Sequence, residues 1–151
     1  MNNQSDQLPS YRLYINGEWT DADSGETMPV NEPALGRPMA YVARGSAIDI
    51  DRAVKAARNA FDAGPWPHTP PHERARILLA LADAIEARSA EFAEIESRNL
   101  GVPIRKSSFV DVPWAIEHLR VFGELARRDA YEPLPWNELP GLSWNFVWRE
   151  P

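Results

Sequence analysis

A chain of 151 residues that is 44% hydrophobic and 25% charged has the size and make-up of one ordinary soluble domain. Its formal net charge of −6 excludes nucleic acid as a partner, because phosphate contact needs a local Lys/Arg excess. It has no cysteine, which removes disulfides, thiolate metal sites and any Cys nucleophile together.

Residues 1–10 read as a disordered tail. They lack the basic-then-apolar order of a secretory signal and the Arg content of a transit peptide. No apolar run in the chain approaches the ~20 residues of a membrane span. A cytoplasmic setting with no membrane partner is therefore expected.

Residues 13–15 and 18–20 flank Asn16-Gly17, the strongest short hairpin signal, because both residues tolerate positive φ. Residues 28–31 and 38–43 form a second hairpin around the turn from Glu32 to Gly36, with Pro29 and Pro38 confining both strands to sheet edges. Ser46 and Asp49 make a capping box that opens a helix. Ile50, Val54, Ala57 and Phe61 then recur at helical spacing until Gly64-Pro65.

After a Pro-rich linker, Thr69 is placed to cap a helix whose first turn holds Pro70 and Pro71. A single helix is expected over residues 73–99, with Ile77, Leu81, Ile85, Phe92 and Ile95 along one stripe and Gly101 at its stop. Residues 104–130 hold a third helix, its main part capped by Asp111, with Val110, Trp114, Val121, Phe122 and Leu125 on a common side. The segment from residue 131 changes character, with four Pro and three Trp, and residues 142–148 alternate as a strand. Within the chain that strand has no evident neighbour.

Several of these segments resemble the amino-terminal part of an NAD(P)-dependent aldehyde dehydrogenase. They are "YINGEWTDADSGETMPVNEPALG" (residues 14–36), "DIDRAVKAARNAFDAGPW" (49–66), "ERARILLALADAIEARSAEFAEIES" (73–97), "VPWAIEHLRVFGELA" (112–126) and "WREP" (148–151). None is a catalytic motif, but together they stand in the family's order over about residues 12–151.

The resemblance implies an α/β fold, part of an incomplete dinucleotide-binding domain, with two small hairpins, three helices and a terminal strand. Residues 11–130 belong to the cofactor domain, and residues 131–151 form a linker and the start of an oligomerisation strand. The complete family enzyme oxidises an aldehyde to a carboxylic acid with NAD or NADP as cofactor. A Cys thiolate attacks, an Asn side chain and a backbone N–H hold the oxyanion, and a Glu activates water.

None of that machinery maps onto this chain. There is no Cys, and the eight Gly never approach Gly-x-Gly spacing, so no catalytic, cofactor-binding or metal residue is assigned. Pro135-Trp136-Asn137 has the letters of the family's oxyanion motif but precedes "REP", and reads as coincidence in a loop. Asn99 stands where many members carry an acidic residue, and Val102 where they carry Lys.

In the family the third helix borders the substrate tunnel, which assigns Phe109, Val110 and Trp114, with His118 on the same face, to shaping aldehyde entry. Plain core packing is the competing reading. Trp144, Phe146 and Trp148 alternate on the last strand and read as an interface within a homo-oligomer. Other constellations read as ordinary surface: His68 and His72 without a third ligand, the acidic run Glu91, Glu94 and Glu96 on an amphipathic helix, and Ser107 and Ser108 without a base.

Three readings of function follow. The first is an amino-terminal portion of an aldehyde dehydrogenase, inactive alone, whose partner is the remainder of the enzyme or a homologous subunit. The second is a non-catalytic module docking onto a full-length dehydrogenase through its terminal strand. The third, an independent enzyme, lacks any nucleophile constellation.

Overall fold

The computed structural model describes residues 8–128, 131–137, 141 and 143–148, without the side chains of Tyr131, Trp136, Asn137, Trp144 and Trp148. Five strands come first: β1 (Ser10–Tyr11), β2 (Leu13–Ile15), β3 (Glu18–Thr20), β4 (Thr27–Glu32) and β5 (Arg37–Ala43). Helices α1 (Ala47–Ala63), α2 (Pro71–Glu86) and α3 (Ser89–Leu100) follow. A short α4 (Ile104–Lys106) continues through a π turn (Ser107–Asp111) into α5 (Val112–Leu125). Strands β6 (Tyr131–Asn137) and β7 (Ser143–Trp148) close the series.

Both expected hairpins form. β2 pairs antiparallel with β3 across Asn16 and Gly17, at φ 54 and 83, as a tight hairpin turn requires. β4 pairs antiparallel with β5. The turn between them is closed by the Leu35 and Gly36 N–H groups donating to the Glu32 carbonyl.

β4 lies at a sheet edge as expected, but the edge assignment of β5 is corrected, because β5 lies between β4 and a parallel β1. Pro38 faces Asn31 of β4 at the start of β5, whereas β1 meets β5 only at Tyr41 and Val42. The missing Pro N–H therefore falls where β1 does not reach. Ser10 is a strand residue rather than part of a tail, and the Tyr41 N–H donates to the Pro9 carbonyl at 2.9 Å.

Three helix boundaries depart from expectation. Pro70 is the residue before α2, while the Thr69 hydroxyl donates back to the Pro65 carbonyl and caps nothing. The single helix of residues 73–99 is two helices, interrupted at Ala87 and Arg88. Neither Pro nor Gly marks the break, and the Arg88 guanidinium pairs with Glu91 in the first turn of α3. Asp111 does not cap α5: its backbone is helical and the helix runs through it unbroken. Gly101 ends α3 as expected, at φ 72.

The core is small and built from small residues. Ala82, Ala93, Val112 and Ile116 are buried, with Ile85 and Leu119 packed against them. α2 and α5 approach closely at Gly123, where an added Cβ would meet the Leu79 side chain at 3.0 Å. Arg120 reaches from α5 to Glu86 of α2 at 2.6 Å, and Arg98 ties α3 to Glu32 of β4 at 3.1 Å.

The predicted stripe does not become core. Ile77, Leu81, Phe92 and Ile95 are exposed, as are Ile50, Val54 and Phe61 on α1.

The terminal strand is also corrected. β7 has a partner within the chain: it pairs antiparallel with β6, Phe146 opposite Pro133 and Trp148 opposite Tyr131. Pro133 and Pro135 are two residues apart, so their missing N–H groups fall on one edge of β6, which an outer strand tolerates.

Candidate functional site

The feature of this helical layer that no local propensity requires is the π turn. The Val112 N–H donates to the Ser107 carbonyl five residues back, where an α-helix would bond four back. Such a turn inserts one residue into a helix and re-aims the side chains on either side; π turns occur often at functional sites. Ser107 is buried, and its hydroxyl has no hydrogen-bond partner among the described residues. Val112 is buried at the other end of the turn.

Between these buried ends the chain bulges outward. Phe109 is 75% exposed and Trp114, in the first turn of α5, is 65% exposed. Val110 is exposed beside them, and the Trp114 ring meets His118 edge-on, with centroids 6.3 Å apart. The family resemblance named Phe109, Val110 and Trp114, and none of the three is core among the described residues. It missed the ion pair that spans the turn, Lys106 Nζ to both carboxylate oxygens of Asp111 at 2.5 Å. The five-residue spacing of these two charges was the available signal.

The other named set lies on β7. Phe146 is exposed; the side chains of Trp144 and Trp148 lie outside the described residues. The register of the hairpin shifts between Leu134 and Asn137, and Trp144 sits opposite that irregularity. Pro135-Trp136-Asn137, expected in a loop, belongs to β6. β6 and β7 pack chiefly on each other.

The start of α1 shows how a helix terminus is used in this chain. Asp49 is 2% exposed. Its carboxylate accepts the Ser46 N–H and hydroxyl at 2.9 Å, the Asp23 N–H at 3.1 Å and an Arg52 N–H at 3.3 Å. The Ser46 N–H is the main cause that holds this carboxyl below its ordinary value of 3.8; desolvation opposes it, and the Asp23 N–H, the Ser46 hydroxyl and Arg52 add to the lowering. The positive end of the α1 dipole is thus occupied by the chain's own anion.

A dinucleotide phosphate would need such a terminus open, preceded by closely spaced glycines. α1 is filled by Asp49, and α2 opens with Pro70 and Pro71, which carry no N–H. Neither of these two helix starts fits a dinucleotide cradle.

The hydrogen bond from Arg88 holds the Glu91 carboxyl below its ordinary value, opposite to the shift a general acid needs. Among the described residues no three His, Asp or Glu side chains cluster to hold a metal ion. No helix among them is long and apolar enough to cross a membrane.

Comparison with known proteins is specific. The family model described as "Aldehyde dehydrogenase family" matches residues 19–151. Aldehyde dehydrogenase family 2 member B4, mitochondrial, of Arabidopsis thaliana is 46% identical over 111 residues, covering 74% of this chain and 21% of that protein. The NADP/NAD-dependent aldehyde dehydrogenase PuuC of Escherichia coli K12 is 40% identical over 129 residues, covering 80% of this chain and 26% of its own.

Among solved structures, PnpE of Pseudomonas sp. WBC-3 in complex with nicotinamide adenine dinucleotide superposes with a TM-score of 0.77 at 41% identity. That match covers 85% of this chain and 26% of PnpE. The chain thus spans about a quarter of the length of its relatives, and it carries the fold of the corresponding part of PnpE. With a family match across nearly all of its length and relatives above 40% identity, this chain belongs to the aldehyde dehydrogenase family.

Proposed function

We propose that the chain is the amino-terminal portion of an aldehyde dehydrogenase subunit and is inactive by itself. Joined to the catalytic and cofactor-binding parts, it serves the oxidation of an aldehyde to a carboxylic acid with NAD or NADP. The observation that carries this reading is the uncovered apolar surface. Residues patterned for burial on α1, α2, α3 and α5 stay exposed among the described residues. At about 25 cal/mol per Å² of apolar surface, such faces strongly favour being covered. The absence of any Cys agrees with a portion that does not carry the nucleophile.

In this reading Phe109, Val110 and Trp114 line the path of the aldehyde; the family resemblance supports that role, and none of the three is covered by the described residues. Trp144, Phe146 and Trp148 extend an interface between subunits of a homo-oligomer, with residues 131–151 as its first strands. The proposed setting is the cytoplasm, which fractionation of the expressing cells checks. The docking-module reading keeps one point in its favour: β7 pairs with β6 alone, so the backbone of its far edge is available for strand addition among the described residues.

The test is to mix the purified chain with the complementary catalytic portion of a relative, NAD⁺ and a panel of aldehydes. No NADH should form from the chain alone, and turnover should appear on mixing. Turnover by the chain alone would refute the proposal. Tight binding to an intact full-length dehydrogenase, with no turnover on mixing with the catalytic portion, would favour the docking module. In the assembled enzyme, Trp114→Ala should reorder kcat/KM among aldehydes by about tenfold, a typical discrimination for reshaping an apolar pocket.

A further inference from the structure

We propose that the Lys106–Asp111 ion pair clamps the π turn and thereby sets the aim of Phe109, Val110 and Trp114. The argument rests on spacing. In an α-helix, a residue five positions on lies about 140° around the axis, so charges at that spacing face apart. In a π turn, residues i and i+5 come into register, because the backbone bond itself runs over five residues. Lys106 Nζ lies 2.5 Å from both Asp111 oxygens. The backbone bond from Val112 to Ser107 lies inside that bridge. The side-chain bridge therefore fits the π register and would be pulled open by the α register.

Packing holds the two ends of the turn, Ser107 and Val112, and the ion pair bridges the exposed stretch between them. The buried Ser107 hydroxyl has no partner among the described residues, which costs free energy rather than supplying it. Phe109 is exposed and packs little. Asp111 is the better shielded of the pair, its side chain less than half as exposed as that of Lys106. The carboxylate is the fixed end and the Lys the arm that closes over it.

Slipping the turn by one residue would rotate Phe109 and Val110 by about 100° relative to Trp114, scattering the apolar face. Lys106 and Asp111 are positioning residues in this scheme. Its relevance to aldehyde choice rests on the tunnel reading above; the clamp itself does not.

The experiment is amide hydrogen exchange by NMR on the full chain, following Val112, with Leu119 as a control for the fold. Lys106→Met and Asp111→Asn should each speed Val112 exchange about two- to fivefold, the range expected for a partly exposed pair, and leave Leu119 unchanged. The exchanged pair, Lys106→Asp with Asp111→Lys, should return Val112 to within about twofold of the parent, since it restores the bridge with reversed sign. Should Asp111→Asn unfold the chain, Lys106→Met carries the comparison, because its side chain keeps the aliphatic stem. Unchanged Val112 exchange in the single variants overturns the clamp, as does a swap that fails to recover. If the clamp holds while Trp114→Ala leaves aldehyde ranking untouched in the assembled enzyme, it is the tunnel reading that fails.

Discussion

The layer formed by α2, α3 and α5 and the single helix α1 begin from the same kind of pattern, apolar residues at helical spacing, and end differently. The layer closes along one seam, while Ile77, Leu81, Phe92 and Ile95 stay exposed. Ala75, Ala82, Ala93 and Gly123 let helices approach, so that Val112 and Ile116 are buried within the chain. α1 is held by polar contacts at its start, where Asp49 joins Ser46, Asp23 and Arg52, and its apolar body stays in water. Amphipathic spacing names a face that seeks cover. Small residues at a crossing decide whether the chain supplies that cover itself.

The contrast can be broken by experiment, and the largest effect is expected in the layer. Ile116→Ala removes a buried side chain from the core formed with Ala82, Ala93 and Val112 and should cost about 2–5 kcal/mol in chemical denaturation. A cost under about 1 kcal/mol would mean that the layer is not closed in solution.

Smaller effects are expected at the polar start of α1. Ser46→Ala should cost about 0.5–2 kcal/mol as a lost N-cap. Asp49 adds a pH signature. Its folded value is depressed, so its contribution is present above the unfolded value of 3.8 and is lost as pH falls through the lower folded value. Asp49→Asn should flatten that part of the acid limb in a pH series of urea melts. An unaltered limb would show that the carboxylate does not hold α1.

The smallest effect belongs to the apolar face of α1. Val54→Ser, at a position 61% exposed, should change the stability of the chain by less than about 0.5 kcal/mol. The same change should weaken assembly with the complementary catalytic portion in a titration followed by turnover. A large loss of stability in the chain alone would mean that this face is already covered.

What the sequence disclosed follows the same division. The Asn16-Gly17 turn, the Ser46–Asp49 box and the Gly101 stop were legible because each is settled by neighbours a few residues away. The family was legible because its segments keep their order along the whole chain.

The break at Ala87 and Arg88 was not, since no Pro or Gly announces it. The partner of β7 was hidden by Pro133 and Pro135, which speak against a strand until one sees that both fall on an edge. The π turn was missed because Asp111 before Val112 and Pro113 imitates a helix cap. At Phe109 and Trp114 the environment was not readable: spacing places residues on one face without saying what that face meets.

The latch at Asp49 also bears on the order of events during synthesis. Its partners Asp23, Ser46 and Arg52 lie between residues 23 and 52, and closing so short a loop carries a modest entropy cost. On a ribosome this bundle of hydrogen bonds can set before most downstream sequence has emerged. α1 would then already point the right way while its oily side waits, so docking becomes a matter of closing a prepared surface rather than searching for one.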